Sequence, residues 1–364
     1  MNYNDIRRKT KKIQVGNVFI GGDSKISIQS MTNTDSHDIE ATYAQVSALE
    51  KAGADIVRLA LPDVDAAKTI SELKKRGVSV PLVADIHFDY KIALAAAEAG
   101  VDKIRINPGN IGSDEKVKTV ADVCKSKNIP IRIGVNSGSL EPHILKKYGS
   151  PTPEALAESA LYHAGLLEKF DFNDIVISIK SSHVAEMKKA AQIVAEKCDY
   201  PLHIGVTESG RGESGLIKSA AGIGALLLSG IGDTLRISLT DDPVKEIYYA
   251  KKLLRAIELT DENYINIISC PTCGRTRIDL IKICEEVERR LAELSVPPKK
   301  LTVAVMGCAV NGPGEAREAD IGIAGGDHEA LIFAHGKIIR KIPENAVVDE
   351  LFEEITKLIQ KVGN

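Results

Sequence analysis

The chain has 364 residues, a formal net charge of -3, 44% hydrophobic and 27% charged residues. That length and balance fit a globular protein of two domains and argue against a general nucleic-acid or membrane-surface binder. No apolar run reaches a membrane span, and the basic start MNYNDIRRKTKKIQV lacks the apolar core of a secretory signal, so a cytoplasmic protein is expected, with RRKTKK as a solvated arm.

The first two thirds of the chain repeat one unit, a β-branched run followed by a stretch of helical spacing. Strands are predicted at Lys25–Ser30, Asp55–Leu61, Pro81–Ile86, Lys103–Asn107, Pro130–Val135, Asp174–Lys180, Pro201–Thr207 and Asp233–Leu239. Helices are predicted at Ile39–Ala52, Pro62–Arg76, Tyr90–Ala99, Asp114–Lys127, Pro153–Lys169, Ser182–Lys197, Gly215–Ser229 and Pro243–Glu258, with Gly53, Gly77 and Gly100 where helices should stop. Strands alternating with crossover helices are parallel. Eight such units in about 250 residues point to an α/β fold of the (β/α)8 TIM-barrel type over residues 1–258.

These strands carry more polar residues than buried parallel strands usually do. Arg58, Asp85, His87, Arg105, Asn107, Arg132, Asn136, Lys180, Ser181, Glu208, Arg236 and Ser238 fall within or just past strand ends, the end where barrels build their sites. Each arginine could simply pair with a nearby carboxylate. Four arginines in or after four strands instead favour an anionic, phosphate-like substrate, whose oxygens match the guanidinium fork. After strand seven, the glycine-rich ESGRGESGLIKSAAGIG precedes a helix start and could offer backbone N–H groups to phosphate.

From residue 259 the rhythm becomes that of a small α+β domain, 259–364. Predicted elements are strand Tyr264–Ser269, helix Arg277–Ala292, strands Leu301–Met306 and Asp320–Ala324, a hairpin around Gly336, and helix Val347–Lys361. Of six cysteines, Cys124, Cys198 and Cys284 sit in helical patterns and read as small hydrophobes. Cys270 and Cys273 share a CPTC turn, and Cys308 opens the loop GCAVNGPGEA. Three loop thiols without a fourth suit an iron–sulfur cluster with one open iron, with Glu315 as a possible oxygen ligand. A structural zinc site and a redox dithiol are the alternatives. A further rival is a barrel lyase or aldolase acting on a phosphorylated substrate, with Lys180 as Schiff-base former and a structural zinc nearby.

Long strings then carry a resemblance: IQSMTNTDSHD, ADIHF, IRINPGNIG, IRIGVNSGSL, ISIKSS, VTESGRGESGLIKSAAGIG, SCPTCGRT and MGCAVNGPGEAREADIGIAGG. In these the sequence resembles the bacterial two-domain 4-hydroxy-3-methylbut-2-en-1-yl diphosphate synthase family of the non-mevalonate isoprenoid pathway. The resemblance implies an oxidoreductase that opens and dehydroxylates 2-C-methyl-D-erythritol 2,4-cyclodiphosphate with two electrons. It implies a pteroate-synthase-like barrel and a domain holding a 4Fe-4S cluster on Cys270, Cys273, Cys308 and Glu315. Reduced flavodoxin or ferredoxin would deliver the electrons, and in a homodimer one cluster domain would close the partner's barrel. Arg58, Arg105, Arg132, Lys180 and Arg236 would hold the diphosphate, assisted by Asn107, Asn136, Ser181 and Ser238. Glu208 would protonate the departing hydroxyl, and His87 would bond the substrate or support strand three.

Overall fold

The computed structural model describes residues 6–260, 262–294, 297, 299–308 and 317–362. The chain divides into two compact units, Met1–Thr260 and Asp261–Asn364.

In the first unit a hairpin, β1 (Ile13–Val15) and β2 (Val18–Ile20), precedes eight parallel strands. These are β3 (Ser27–Met31), β4 (Ile56–Ala60), β5 (Leu82–Asp85), β6 (Lys103–Ile106), β7 (Ile131–Asn136), β8 (Ile175–Lys180), β9 (His203–Ile204) and β10 (Thr234–Leu235). Their order is β8-β7-β6-β5-β4-β3-β10-β9, and a parallel bridge from Ile177 to Leu202 joins the two ends, so the sheet closes into a barrel. The outer helices are α1 (Ile39–Ala52), α2 (Lys68–Lys75), α3 (Tyr90–Glu98), α4 (Asp114–Ser126), α5 (Pro142–Tyr148), α6 (Pro153–Lys169), α7 (Val184–Lys197), α8 (Gly212–Leu227) and α9 (Pro243–Ala256). Helix α1 starts where the Asp38 side chain accepts from Ala41 N–H. Gly53, Gly77 and Gly100 each stop a helix at φ of 84–88°, a conformation costly for a residue with a Cβ.

The hairpin and helix α5 were not among the sequence-based expectations, and two further differences concern the basic start and the last two strands. The basic start is a solvated arm only in part: Lys9 and Lys12 are exposed, but Arg7 and Arg8 are docked on the barrel. Arg7 Nη2 donates to Asp233 at 2.7 Å with both side chains buried, and Arg8 donates to the backbone carbonyls of Ala195, Cys198 and Tyr200. Strands seven and eight were expected to run to Thr207 and Leu239, but β9 and β10 pair over two residues only. The residues beyond leave the ladder to build the barrel mouth. At the opposite end, Val15 and Ile20 of the hairpin pack on Ile56 and Val83 and close the lumen with an apolar layer.

The second unit is a five-stranded sheet in the order β11 (Ile265–Ser269), β12 (Leu301–Met306), β13 (Ile321–Gly325), β14 (Glu329–Ala334), β15 (Lys337–Pro343). The first three strands are parallel and the last two antiparallel. Helices α10 (Leu280–Glu293) and α11 (Val347–Val362) cover it, burying Leu280, Ile283, Val287, Val347, Leu351 and Ile355 with Val303, Val305, Ile321 and Ile323. No helix among the described residues is long and apolar enough to cross a membrane.

Candidate functional site

At the C-terminal end of the barrel strands lies a cleft of about 210 Å³ lined by Arg58, Asp85, His87, Arg105, Asn136, Ser178, Lys180, Thr207, Arg236 and Ser238. A second cleft of about 310 Å³ shares His87, Arg105, Asn136 and Thr207 and adds Asn107, Asn110, Ser137, Gly138 and Glu208. The basic residues thus gather in the first cleft, and the second adds two amides, a hydroxyl, a glycine and the Glu208 carboxylate.

The three arginines are held by buried carboxylates. Arg105 Nη1 donates to Asp85 Oδ1 at 3.0 Å and lies 3.2 Å from His87 Nε2, while Arg58 Nε is 3.6 Å from Asp85 Oδ2. Arg105 reaches the mouth across its neighbour strand because residue 134 is glycine; a Cβ there would sit 2.4 Å from Arg105 Nε. Arg236 lays its fork on Glu246, with Nε to Oε2 at 3.1 Å and Nη2 to Oε1 at 3.0 Å. Glu246 also accepts from Ser30 Oγ at 2.9 Å and Leu239 N–H at 3.1 Å, so this carboxylate is buried and fully used. Burial would raise Asp85, but Arg58 and Arg105 outweigh it and hold the carboxyl well below the usual range. Burial lowers Arg58 to about 10 against the pull of Asp85. Lys180 is pushed well below an ordinary lysine, first by burial and then by Arg58, Arg236, Arg132 and Arg105. Three arginines and Lys180 line this cleft with one carboxylate, Asp85, while Glu246 pairs with Arg236 outside the lining, an excess of basic groups that an anion would relieve.

The sequence-derived candidates do not all reach the cleft. Arg58, Arg105, Asn107, Asn136, Lys180, Arg236, Ser238, His87 and Glu208 line it. Arg132 is fully buried below, and its three nitrogens have no hydrogen-bond partner among the described residues. Ser181 is also buried; its Oγ donates to Glu186 at 3.3 Å and accepts from His183 N–H at 3.0 Å, which shapes the loop after β8. Glu208 is exposed and has φ of 50°, a left-handed backbone that non-glycine residues adopt rarely and mostly at special sites. Arg236 pairs with Glu246 and not with Glu208. Glu246, Met31, Asn110 and Thr207 escaped the sequence reading. For Glu246 the available signal was an acid in the first turn of a helix just after strand eight.

In the second unit, β11 and β12 run parallel with Ser269 opposite Val305, so Cys270 and Cys308 follow adjacent strand ends. Cys270 Sγ accepts from Gly307 N–H at 3.2 Å. Cys273 N–H donates to Thr276 Oγ1 at 3.2 Å, and hydrogen bonds from the Arg275 backbone and side chain lower its thiol. All six cysteines are free, so these three thiols are chemically suited to bind iron. Among the described residues no three His, Cys, Asp or Glu side chains are gathered as a metal-holding group, and Glu315 lies outside the described residues. Cys284 is partly buried in α10 and burial raises its thiol, as suits a packing residue.

A family model described as the GcpE TIM-barrel domain matches residues 10–251, and one described as the GcpE protein C-terminal domain matches residues 266–357. A 4-hydroxy-3-methylbut-2-en-1-yl diphosphate synthase (flavodoxin) of Clostridium perfringens is 58% identical over 98% of this chain and 99% of that protein. The protein of the same description from Ruminiclostridium cellulolyticum is 57% identical over 97% and 98%. Among solved structures, HPPK-DHPS of Plasmodium falciparum (TM-score 0.50, 14% identity) spans 70% of this chain and 51% of that one. Type I 3-dehydroquinate dehydratase of Clostridium difficile (TM-score 0.50, 15% identity) spans 68% and 98%, and both likenesses are of fold. The full-length relatives set aside the lyase alternative.

Proposed function

Because this chain belongs to the GcpE family and shares its relatives' activity, an oxidoreductase reaction forming 4-hydroxy-3-methylbut-2-en-1-yl diphosphate, we propose that the barrel mouth binds 2-C-methyl-D-erythritol 2,4-cyclodiphosphate and the C-terminal unit brings the reducing centre. Cys270, Cys273 and Cys308 would hold a 4Fe-4S cluster, with Glu315 as the fourth ligand. When bound, such a cluster supplies the two electrons that the reaction consumes.

The residues of this chain do the rest. Arg58, Arg105, Lys180 and Arg236 grip the diphosphate, and Arg132 adds positive potential from beneath. Their charge stabilises the phosphate that departs when the ring C–O bond breaks. Asn107, Asn136 and Ser238 add neutral hydrogen-bond donors to the diphosphate oxygens, and Ser181 keeps the loop after β8 in shape. Glu208 donates the proton with which the hydroxyl leaves as water, and His87 orients Arg105. The balance is one cyclodiphosphate, two electrons and a proton giving the linear diphosphate and water. Reduced flavodoxin, with ferredoxin as substitute, is the electron donor. A homodimer in which one cluster domain closes the partner's barrel, within the cytoplasm, completes the proposal.

The observation that carries the reading of the mouth is the convergence of Arg58, Arg105, Lys180 and Arg236, from within or just past four strands, on a cleft lined by the one carboxylate of Asp85. Anaerobic isolation tests the whole. Four irons and four sulfides per chain are expected, with turnover of the cyclodiphosphate by reduced flavodoxin. Zinc without inorganic sulfide would refute the cluster assignment.

A further inference from the structure

We propose that Met31 is a positioning residue for the diphosphate: its thioether keeps Arg58 and Arg236 converged in the open mouth and gives way to a phosphate oxygen. The inference rests on the reading of the mouth as a diphosphate site. Met31 ends β3, which lies between β4, the strand of Arg58, and β10, the strand that Arg236 follows. Arg58 turns Nε and Nη2 toward Met31 Sδ at 3.1 and 2.8 Å, and Arg236 turns Nη1 toward it at 3.5 Å. The two side chains are 10% and 15% exposed, so water screens their repulsion poorly.

Each arginine also has a carboxylate partner, Asp85 at 3.6 Å from Nε for Arg58 and Glu246 on Nε and Nη2 for Arg236, which leaves Arg236 Nη1 for Met31. Met31 Sδ is the acceptor that the two guanidinium groups share. A carboxylate there would hold the pair harder but cancel one of the charges the substrate needs. An amide oxygen would accept the same N–H groups strongly enough to compete with phosphate. An aliphatic chain would leave two like charges with nothing between them. A thioether is a weak, polarizable acceptor, so it orients the donors and yields them at little cost to a charged oxygen. The nitrogens now on sulfur, Arg58 Nε and Nη2 and Arg236 Nη1, therefore become a phosphate cradle centred on β3.

Steady-state kinetics of the full-length, cluster-loaded protein with the cyclodiphosphate test this, using Met31→Leu, Met31→Gln and Met31→Glu. Met31→Leu should raise KM roughly 3- to 10-fold with kcat within about twofold. Met31→Gln should raise it further, and Met31→Glu by roughly 100-fold or more. Acceptor strength orders these effects, whereas a packing role would make leucine and glutamine, similar in volume, alike. A Met31→Leu enzyme with wild-type KM overturns the proposal, as does a Met31→Gln enzyme that binds as well as Met31→Leu. If Met31→Glu fails to fold, the leucine and glutamine variants still decide. Wild-type protein that carries its cluster yet does not bind the cyclodiphosphate would sink the diphosphate reading itself and Met31 with it.

Discussion

Glu246 offers a sharp test of how the mouth is built. Its carboxylate is 2% exposed and accepts four hydrogen bonds, two of them from Arg236, which is itself 15% exposed. Glu246→Ala removes both acceptor oxygens, and with them all four bonds, and strands the Arg236 guanidinium in a pocket that also holds Arg58, Arg105 and Lys180. Breaking a buried pair from one side costs about 3–5 kcal/mol, because the surviving charge is stranded. For a unit of this size that corresponds to a fall in melting midpoint of roughly 6–20 °C. The double variant Glu246→Ala/Arg236→Ala should recover part of the loss, since the stranded charge is gone, although Leu239 N–H still lacks its acceptor and Ser30 Oγ keeps only the Pro243 carbonyl, at 3.3 Å. Differential scanning calorimetry of the full chain reads all three proteins under one condition. A Glu246→Ala midpoint within about 2 °C of wild type, or a double variant less stable than Glu246→Ala, would refute the argument that this carboxylate exists to hold Arg236.

Three further outcomes are expected. Lys103 is fully buried, its Nζ has no hydrogen-bond partner among the described residues, and burial, with Arg132 and Arg58, pushes its pKa well below an ordinary lysine. The unfolded chain therefore binds the extra proton, so stability should rise with pH from that lowered value toward about 10.4. Lys103→Met should be more stable by about 1–3 kcal/mol at pH 7, with the advantage shrinking toward pH 10; a variant no more stable than wild type at pH 7 counts against it. Lys180 is also depressed, and a diphosphate beside it restores its affinity for a proton. Binding should then take up a proton above the lowered value and weaken as pH rises, which titration calorimetry in buffers of different ionisation enthalpy detects; proton release on binding would contradict it. Glu208→Gln should keep its iron and substrate affinity while kcat falls by a factor of about 100 or more, and an enzyme with unimpaired kcat removes Glu208 from the proton transfer.

Arg105 and Arg132 show where reading from the sequence stops. They are paired across β6 and β7, have the same side chain, and look alike in the sequence as polar residues in a strand. Arg105 escapes upward over Gly134 to the cleft and finds Asp85, whereas Arg132 stays wholly inside the barrel. The difference lies in the depth each strand reaches in the closed barrel, a property of eight strands together. Glu246 belongs to the same class. Its partner Ser30 is 216 positions away, and only closure of the barrel brings α9 against β3.

What the sequence determined by itself is the material that local physics encodes. Alternating β-branched runs and helical periods, glycine stops such as Gly53, Gly77 and Gly100, and the CPTC turn each act within a few residues, and they survive in the structure as parallel strands, helix ends and a sheet-end loop. Only the tertiary structure decided which polar strand residues share the cleft, that the basic start straps Arg7 to Asp233, and that Met31 lies between two arginines. These are pairings between distant segments. Charge repulsion, burial and barrel register settle them jointly, and no single stretch of chain carries that information.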